Sequence, residues 1–130
     1  MKITIKDKCP SWNKLYAGLH WTKRKKMADD IHELVYWAVY ESKNKPKVLP
    51  YKNPVFLEYE VRYKGKRRHD ADNCAVKMYC DGLVHSGILA EDDYEHVVGY
   101  SVMIFIGQDE DSVTINIKEV WMNGYIYLTQ

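Results

Sequence analysis

The chain has 130 residues, of which 46% are apolar; this suits a single ordered domain spanning residues 1–130 and excludes a disordered segment. Three cysteines without CxxC spacing (Cys9, Cys74, Cys80) argue against a disulfide framework and a closed zinc site. The net charge of +1 hides an asymmetry: residues 1–77 carry 18 Lys+Arg and 9 Asp+Glu, a balance of +9, whereas residues 78–130 carry 1 and 9, a balance of −8. Such a split suits a surface for a polyanion beside an acidic region, or an ordinary solvated surface that folding intermixes.

No stretch approaches the roughly 20 apolar residues that span a bilayer, so no membrane partner is expected. The opening MKITIKDKCPSW has no long apolar run and breaks at a proline, unlike a signal peptide. A cytoplasmic protein is therefore expected. The 11 tyrosines and 4 tryptophans are expected mainly in the core.

In chain order, residues 2–6 alternate and predict a strand, and residues 9–21 read as a loop rich in turn residues and aromatics. Thr22 is the expected cap of a helix running to about Ser42, with Met27, Ile31, Leu34, Val35, Ala38 and Val39 at helical spacing. Its first turns carry Lys23, Arg24, Lys25 and Lys26, the unfavourable sign for a helix N-terminus. Phosphate contacts and plain solubility both account for them. A basic, proline-bearing loop follows at 43–54, then a strand at 55–63 and a basic turn containing Lys66, Arg67, Arg68 and His69.

Residues 71–86 have the pattern of a second helix that Gly87 ends. On a helical wheel Ala75, Val76, Tyr79 and Leu83 share one arc, while Asn73, Lys77, Asp81 and His85 form a stripe away from it. Apolar strands are predicted at 97–107 and 112–120. The tail 121–130 suits a further strand or a contact with a partner subunit. The order β-α-β-α-β-β predicts an α+β domain: a small mixed sheet with two main helices packed on it.

Asp70 and Asp72 flank the start of the second predicted helix. An N-cap explains one of them but poorly explains both, because neighbouring carboxylates repel. A hard divalent cation relieves that repulsion, and Mg²⁺ is commonly held by one or two carboxylates with waters and phosphate oxygens. Glu91, Asp92 and Asp93 are candidates for a third acid. They lie at the far end of a helix of about 22 Å, so they reach Asp70 only if the chain doubles back or the helix is shorter. An EF-hand reading fails, since Cys74 and Ala75 stand where an oxygen ligand and glycine are required.

The run D-A-D-N-x3-K-x3-D-G-L-x3-G-x4-D-D, from Asp70 to Asp93, resembles the RusA family of Holliday junction resolvases. The stretch PSWNKLY…HWTKRKK is similar to that family's opening, and the matching segments cover about half the chain. The resemblance implies a RusA-like fold and an Mg²⁺-dependent endodeoxyribonuclease (Mn²⁺ as a substitute) acting on four-way DNA junctions in recombination and repair. It implies a homodimer with one active site per strand cut, in a phage-encoded or nucleoid-associated setting. Asp70, Asp72 and Asp93 would bind the metal, with Asp92 as the substitute for the third. Lys77 would assist at the scissile phosphate, and Asn73 and Asp81 would support. Lys23–Lys26 and Lys66–His69 would contact DNA phosphates. Other readings are a nuclease for flaps or other branched DNA, a DNA-binding dimer without catalysis, and a protein–protein module whose acids are only caps.

Overall fold

A computed structural model describes residues 1–122 and 126–128, with side chains placed through residue 120. The sheet runs in the order β1-β4-β2-β3, comprising Lys2–Ile5 (β1), Val55–Arg62 (β2), Val97–Phe105 (β3) and Ser112–Met122 (β4). β4 pairs antiparallel with both β1 and β2, while β2 and β3 run parallel, so the sheet is mixed. A short β5, Ile126–Leu128, pairs with the end of β4, which places a strand in the apolar tail; residues 123–125 and 129–130 of that tail lie outside the described part.

The expected period-2 pattern is realised most clearly in β2. Val55, Leu57, Tyr59 and Val61 are buried, and their neighbours are half-buried. The buried side meets two main helices, α2 (Trp21–Glu41) and α3 (Lys77–His85), through Ile31, Val35 and Val39 of the first and Tyr79 and Leu83 of the second. The fold is therefore α+β, a mixed sheet with helices on one face. α2 and α3 approach so closely that a Cβ on Gly82 would stand 2.9 Å from a methyl of Val35. No helix among the described residues is long and apolar enough to cross a membrane.

The aromatics are not mainly in the core: Tyr51, Tyr59, Tyr63 and Tyr79 are buried, but Tyr16, Trp21, Tyr36, Trp37, Tyr40, Tyr94 and Tyr100 are exposed. Three local expectations also need correction. The segment read as a loop contains a short helix, α1 (Trp12–Tyr16), because Ser11 Oγ accepts from Lys14 N and Leu15 is fully buried. The cap of α2 is His20 rather than Thr22: Thr22 N donates to His20 Nδ1 at 3.3 Å. The predicted helix 71–86 is divided into a 3₁₀ turn, Ala71–Asn73, and the nine-residue α3. Between them Cys74 is extended and pairs with Ser11, and Ala75 N donates to Pro10 O at 2.9 Å. A backbone already bonded to a distant strand-like segment cannot continue the helical ladder.

The end of α3 follows expectation. Gly87 has φ +81°, Gly87 N donates to Val84 O, and Ile88 N donates to Leu83 O. These are the two bonds of a Schellman cap, which requires a left-handed residue at that position. The cap turns the chain back, and burial of Ile88 and Leu89 fixes the return.

Candidate active site

The break in the predicted helix determines how the two aspartates are presented. Asn73 acts as a clasp: its Oδ1 accepts from Asn13 N at 3.0 Å and its Nδ2 donates to Ser11 Oγ at 2.8 Å. It therefore leaves the stripe it was expected to share with Lys77 and instead joins residues 11–13 to the turn at 70–73. Asp70 occupies the cap position of the turn, but its side chain makes no cap bond. Among the described residues neither the Asp70 nor the Asp72 carboxylate has a hydrogen bond or ion pair, and both are exposed. The plain-cap account fits neither.

The turn sends the two aspartates to different cavities. Asp72 lines a cleft of about 440 Å³ together with Trp12, Tyr59, Lys77, Asp92 and Tyr100. Asp70 lines a second cavity of about 410 Å³ with Lys8, Lys14, Arg67, Arg68 and His69. The cleft of Asp72, largely apolar around Asp72, Lys77 and Asp92, and the basic cavity thus lie on either side of one short turn.

Because α3 is short, Asp92 reaches the cleft of Asp72, but not the cavity of Asp70. Nine residues rise about 14 Å, not 22 Å. With the chain folded back after Gly87, Lys77 at the first turn of α3 meets the acidic connection: its Nζ donates to Asp92 at 2.9 Å and to Asp81 at 3.1 Å. The expected Lys77–Asp81 pair is present, and Asp92 joins it. Hydrogen bonds to Asp92 and then Asp81 push the Lys77 pKa up, and the same lysine holds Asp92 below the ordinary carboxylate value.

Asp93 is engaged differently. Its Oδ1 accepts from Glu95 N at 3.1 Å and lies 2.6 Å from His96 Nδ1, while its carbonyl accepts from His96 N and Val97 N. This closes the turn that leads into β3. The His96 contact lowers the Asp93 pKa and raises that of His96. Of the two adjacent aspartates, Asp92 shares the cleft with Asp72. Among the described residues, no three His, Cys, Asp or Glu side chains are already gathered around a common point.

The basic residues divide as well. His69 stacks on Tyr63 with ring centroids 3.6 Å apart and 3° between planes; desolvation, then Lys8, Arg67 and Lys14, lower its pKa. Lys66 is exposed on the same loop. At the start of α2, Lys25 pairs with Asp29 and Lys26 with Asp30, both one turn along. Arg24 donates to Leu19 O at 2.8 Å and lies 5.1 Å from the Tyr16 ring centre, while Lys23 is exposed. Charge available to a polyanion is therefore more concentrated in the second cavity than on α2.

Lys8, Trp12, Lys14 and Tyr100 are additions to the expected set. Trp12 and Lys14 lie within the PSWNKLY stretch, whereas no local pattern singles out Tyr100. Cys74, between Asp72 and Lys77, donates from its Sγ to Asp70 O at 3.7 Å and lies 3.4 Å from the Tyr63 hydroxyl; the neighbouring Cys9 thiol lowers the Cys74 pKa, and Cys74 raises that of Cys9.

No protein-family model matches the chain, and no curated protein matches it.

Proposed function

We propose that this protein is a Mg²⁺-dependent, structure-selective endodeoxyribonuclease that resolves four-way DNA junctions by paired phosphodiester cleavage. The observation that carries the reading is the meeting of Asp72, Asp92 and Lys77 on one cleft, with a basic cavity across the turn that holds Asp72.

The donor set suits a hard cation. Among the described residues the Asp72 carboxylate has no hydrogen bond or ion pair, Asp92 lies in the same cleft, and Mg²⁺ needs few protein carboxylates when phosphate oxygens and waters complete its shell. We assign Asp72 and Asp92 as the holders, with Mn²⁺ as an alternative metal. Asp93 then acts by fixing the turn that carries Asp92, and Asp70 by placing negative charge at the rim of the basic cavity. When bound, the cation supplies an activated water and neutralises the phosphate. Lys77 is kept protonated by Asp81 and Asp92 and places a positive charge where negative charge grows on the phosphate. Lys8, Lys14, Arg67, Arg68 and His69 hold neighbouring phosphates, which gives salt-dependent and largely sequence-blind affinity. The homodimer with one site for each strand cut is what the RusA resemblance of the Asp70–Asp93 run implies.

The test is incubation of the purified protein with a labelled four-way junction and a matched linear duplex, in Mg²⁺ and in EDTA. Paired nicks on the junction alone, lost in EDTA, are expected. Binding without cutting would move the reading to a DNA-binding dimer, and equal cutting of both substrates to a less selective nuclease.

A further inference from the structure

Lys8, Lys14, Lys23, Arg24, Lys25 and Lys26 fall within residues 8–28, a stretch without Asp or Glu, and Trp12, Tyr16 and Trp21 stand among them. Trp12 and Tyr16, one turn apart on α1, stack with ring centroids 5.7 Å apart and 29° between planes. The Arg24 guanidinium lies 5.1 Å from the Tyr16 ring centre and is anchored to Leu19 O at 2.8 Å. Trp21 precedes Arg24 by three residues on α2, so the two share a side of that helix. Despite these neighbours Tyr16 is 68% exposed and Trp21 60%. The inner end of this group is Trp12, which is half-buried and lines the cleft of Asp72 and Lys77. On the same short helix Lys14 lines the basic cavity. The three rings have no part in the proposed chemistry.

Charge says what kind of partner covers these rings. Tyr36, Trp37 and Tyr40, further along α2, are exposed as well, but Glu33 and Glu41 flank them. Around Tyr16 and Trp21 the balance is the opposite. Lys25 and Lys26 are paired with acids one turn along, whereas among the described residues Lys14, Lys23 and Arg24 meet no carboxylate. Flat apolar faces set among unmatched cations fit a partner that is both planar and anionic. Unpaired nucleotides are both: every base has a π-face, and every linkage carries a phosphate. Inside a duplex those faces are already stacked on each other.

We propose that Trp12, Tyr16 and Trp21 form a stacking platform for unpaired nucleotides of a DNA strand, with Lys14, Lys23 and Arg24 holding the adjoining phosphates. Because Trp12 lines the cleft, a strand seated on the platform leads towards Asp72 and Lys77. The platform then favours substrates whose bases are unstacked at a branch point over continuous duplex. That place in the reaction rests on the nuclease reading; binding of an unpaired strand does not.

The test titrates the full chain against a short DNA strand carrying a fluorescent adenine analogue, quenched when it stacks on an aromatic ring, and against a base-free strand of the same length. Quenching on binding is expected, with an affinity for the base-bearing strand higher by about five- to 150-fold for each stacked base. Tyr16→Leu combined with Trp21→Leu should abolish the quenching and bring the two affinities together, while binding of the base-free strand stays unchanged. Both side chains are exposed, so the fold should survive the change. Equal affinity of the unaltered protein for the two strands, binding of neither, quenching that persists in the double variant, or loss of both strands by that variant would overturn the platform. If the double variant instead loses a dimer in sedimentation and binds the strand as before, a second copy covers the patch and the proposal falls. On a four-way junction labelled at the branch point, the double variant should lose affinity by the same factor and bind a linear duplex unchanged; unchanged junction affinity would overturn the branch-point role. Should the protein bind and quench the single strand yet cut no junction, the nuclease reading fails and the platform stands.

Discussion

Asp72 and Asp92 are separable from Asp93 by substitution, because the first two share the cleft and the third is held in the turn by His96. Asp72→Asn should abolish junction cleavage while preserving or strengthening binding, since it removes negative charge facing phosphate. Asp92→Asn should do the same, whereas Asp93→Asn should retain measurable cleavage; comparing single-turnover cleavage with a band-shift titration checks all three. Lys77→Ala should slow cleavage by about 10²–10³-fold, as loss of a charge-stabilising donor does. It should weaken binding much less, and an equal loss of both would make Lys77 a docking contact. The Asp93–His96 pair also predicts a titration. Asp93 is lowered, so its contribution to the turn is present above its ordinary value of 3.8 and is lost as pH falls through the depressed one. His96 is raised, so its contribution is full below 6.5 and is lost as pH rises through the raised value. The turn is firmest between those limits. NMR titration should place His96 above 6.5, and Asp93→Asn should bring it back towards that value.

At the level of elements, the packing of α3 on α2 sets the position of Lys77, and Gly82 sets the packing. A methyl group there would meet the Val35 side chain at 2.9–3.3 Å. Overpacking costs about 1–3 kcal/mol and better helix propensity offsets up to about 1, so Gly82→Ala should destabilise by roughly 1–2 kcal/mol. Chemical denaturation checks this, and an unchanged midpoint would show that α2 and α3 separate easily. α2 follows its apolar periodicity in part: Ile31, Val35 and Val39 are buried at spacings of four, Met27 and Ala38 are half-buried, and Leu34 is exposed. The 71–86 segment departs from its periodicity although its apolar arc is buried as expected: Ala75, Val76, Tyr79 and Leu83 all face the core. Side-chain patterning tells which residues go inside. It does not tell whether the intervening backbone keeps its own hydrogen bonds or gives them to Pro10.

For the whole molecule, the charge asymmetry of the chain is partly kept in space. The basic residues Lys8, Lys14, Arg67, Arg68 and His69 collect around one cavity, although Lys8 and Lys14 are far from Arg67 in sequence. Lys25 and Lys26, in contrast, are matched by Asp29 and Asp30 on their own helix. Replacing Arg67 and Arg68 together by alanine should therefore lower junction affinity and reduce the slope of log affinity against log salt by about 1–2. The same change at Lys25 and Lys26 should reduce it less. Fluorescence anisotropy at several salt concentrations measures both, and equal slopes for the two variants would show that the cavity is not the principal phosphate contact.

The sequence alone determined the class of fold, the four main strands, the long helix, the glycine that ends α3 and the Lys77–Asp81 pair. Each of these depends on residues close in the chain, where alternation, helical spacing or a left-handed turn residue carries the signal. Tertiary structure decided that Asp70 and Asp72 face different cavities and that Asp92 rather than Asp93 reaches Lys77. Those outcomes depend on Asn73 binding Ser11 and Asn13, and on the chain folding back after Gly87. Such contacts join residues dozens of positions apart, and no local periodicity encodes which distant partner a backbone or side chain will find.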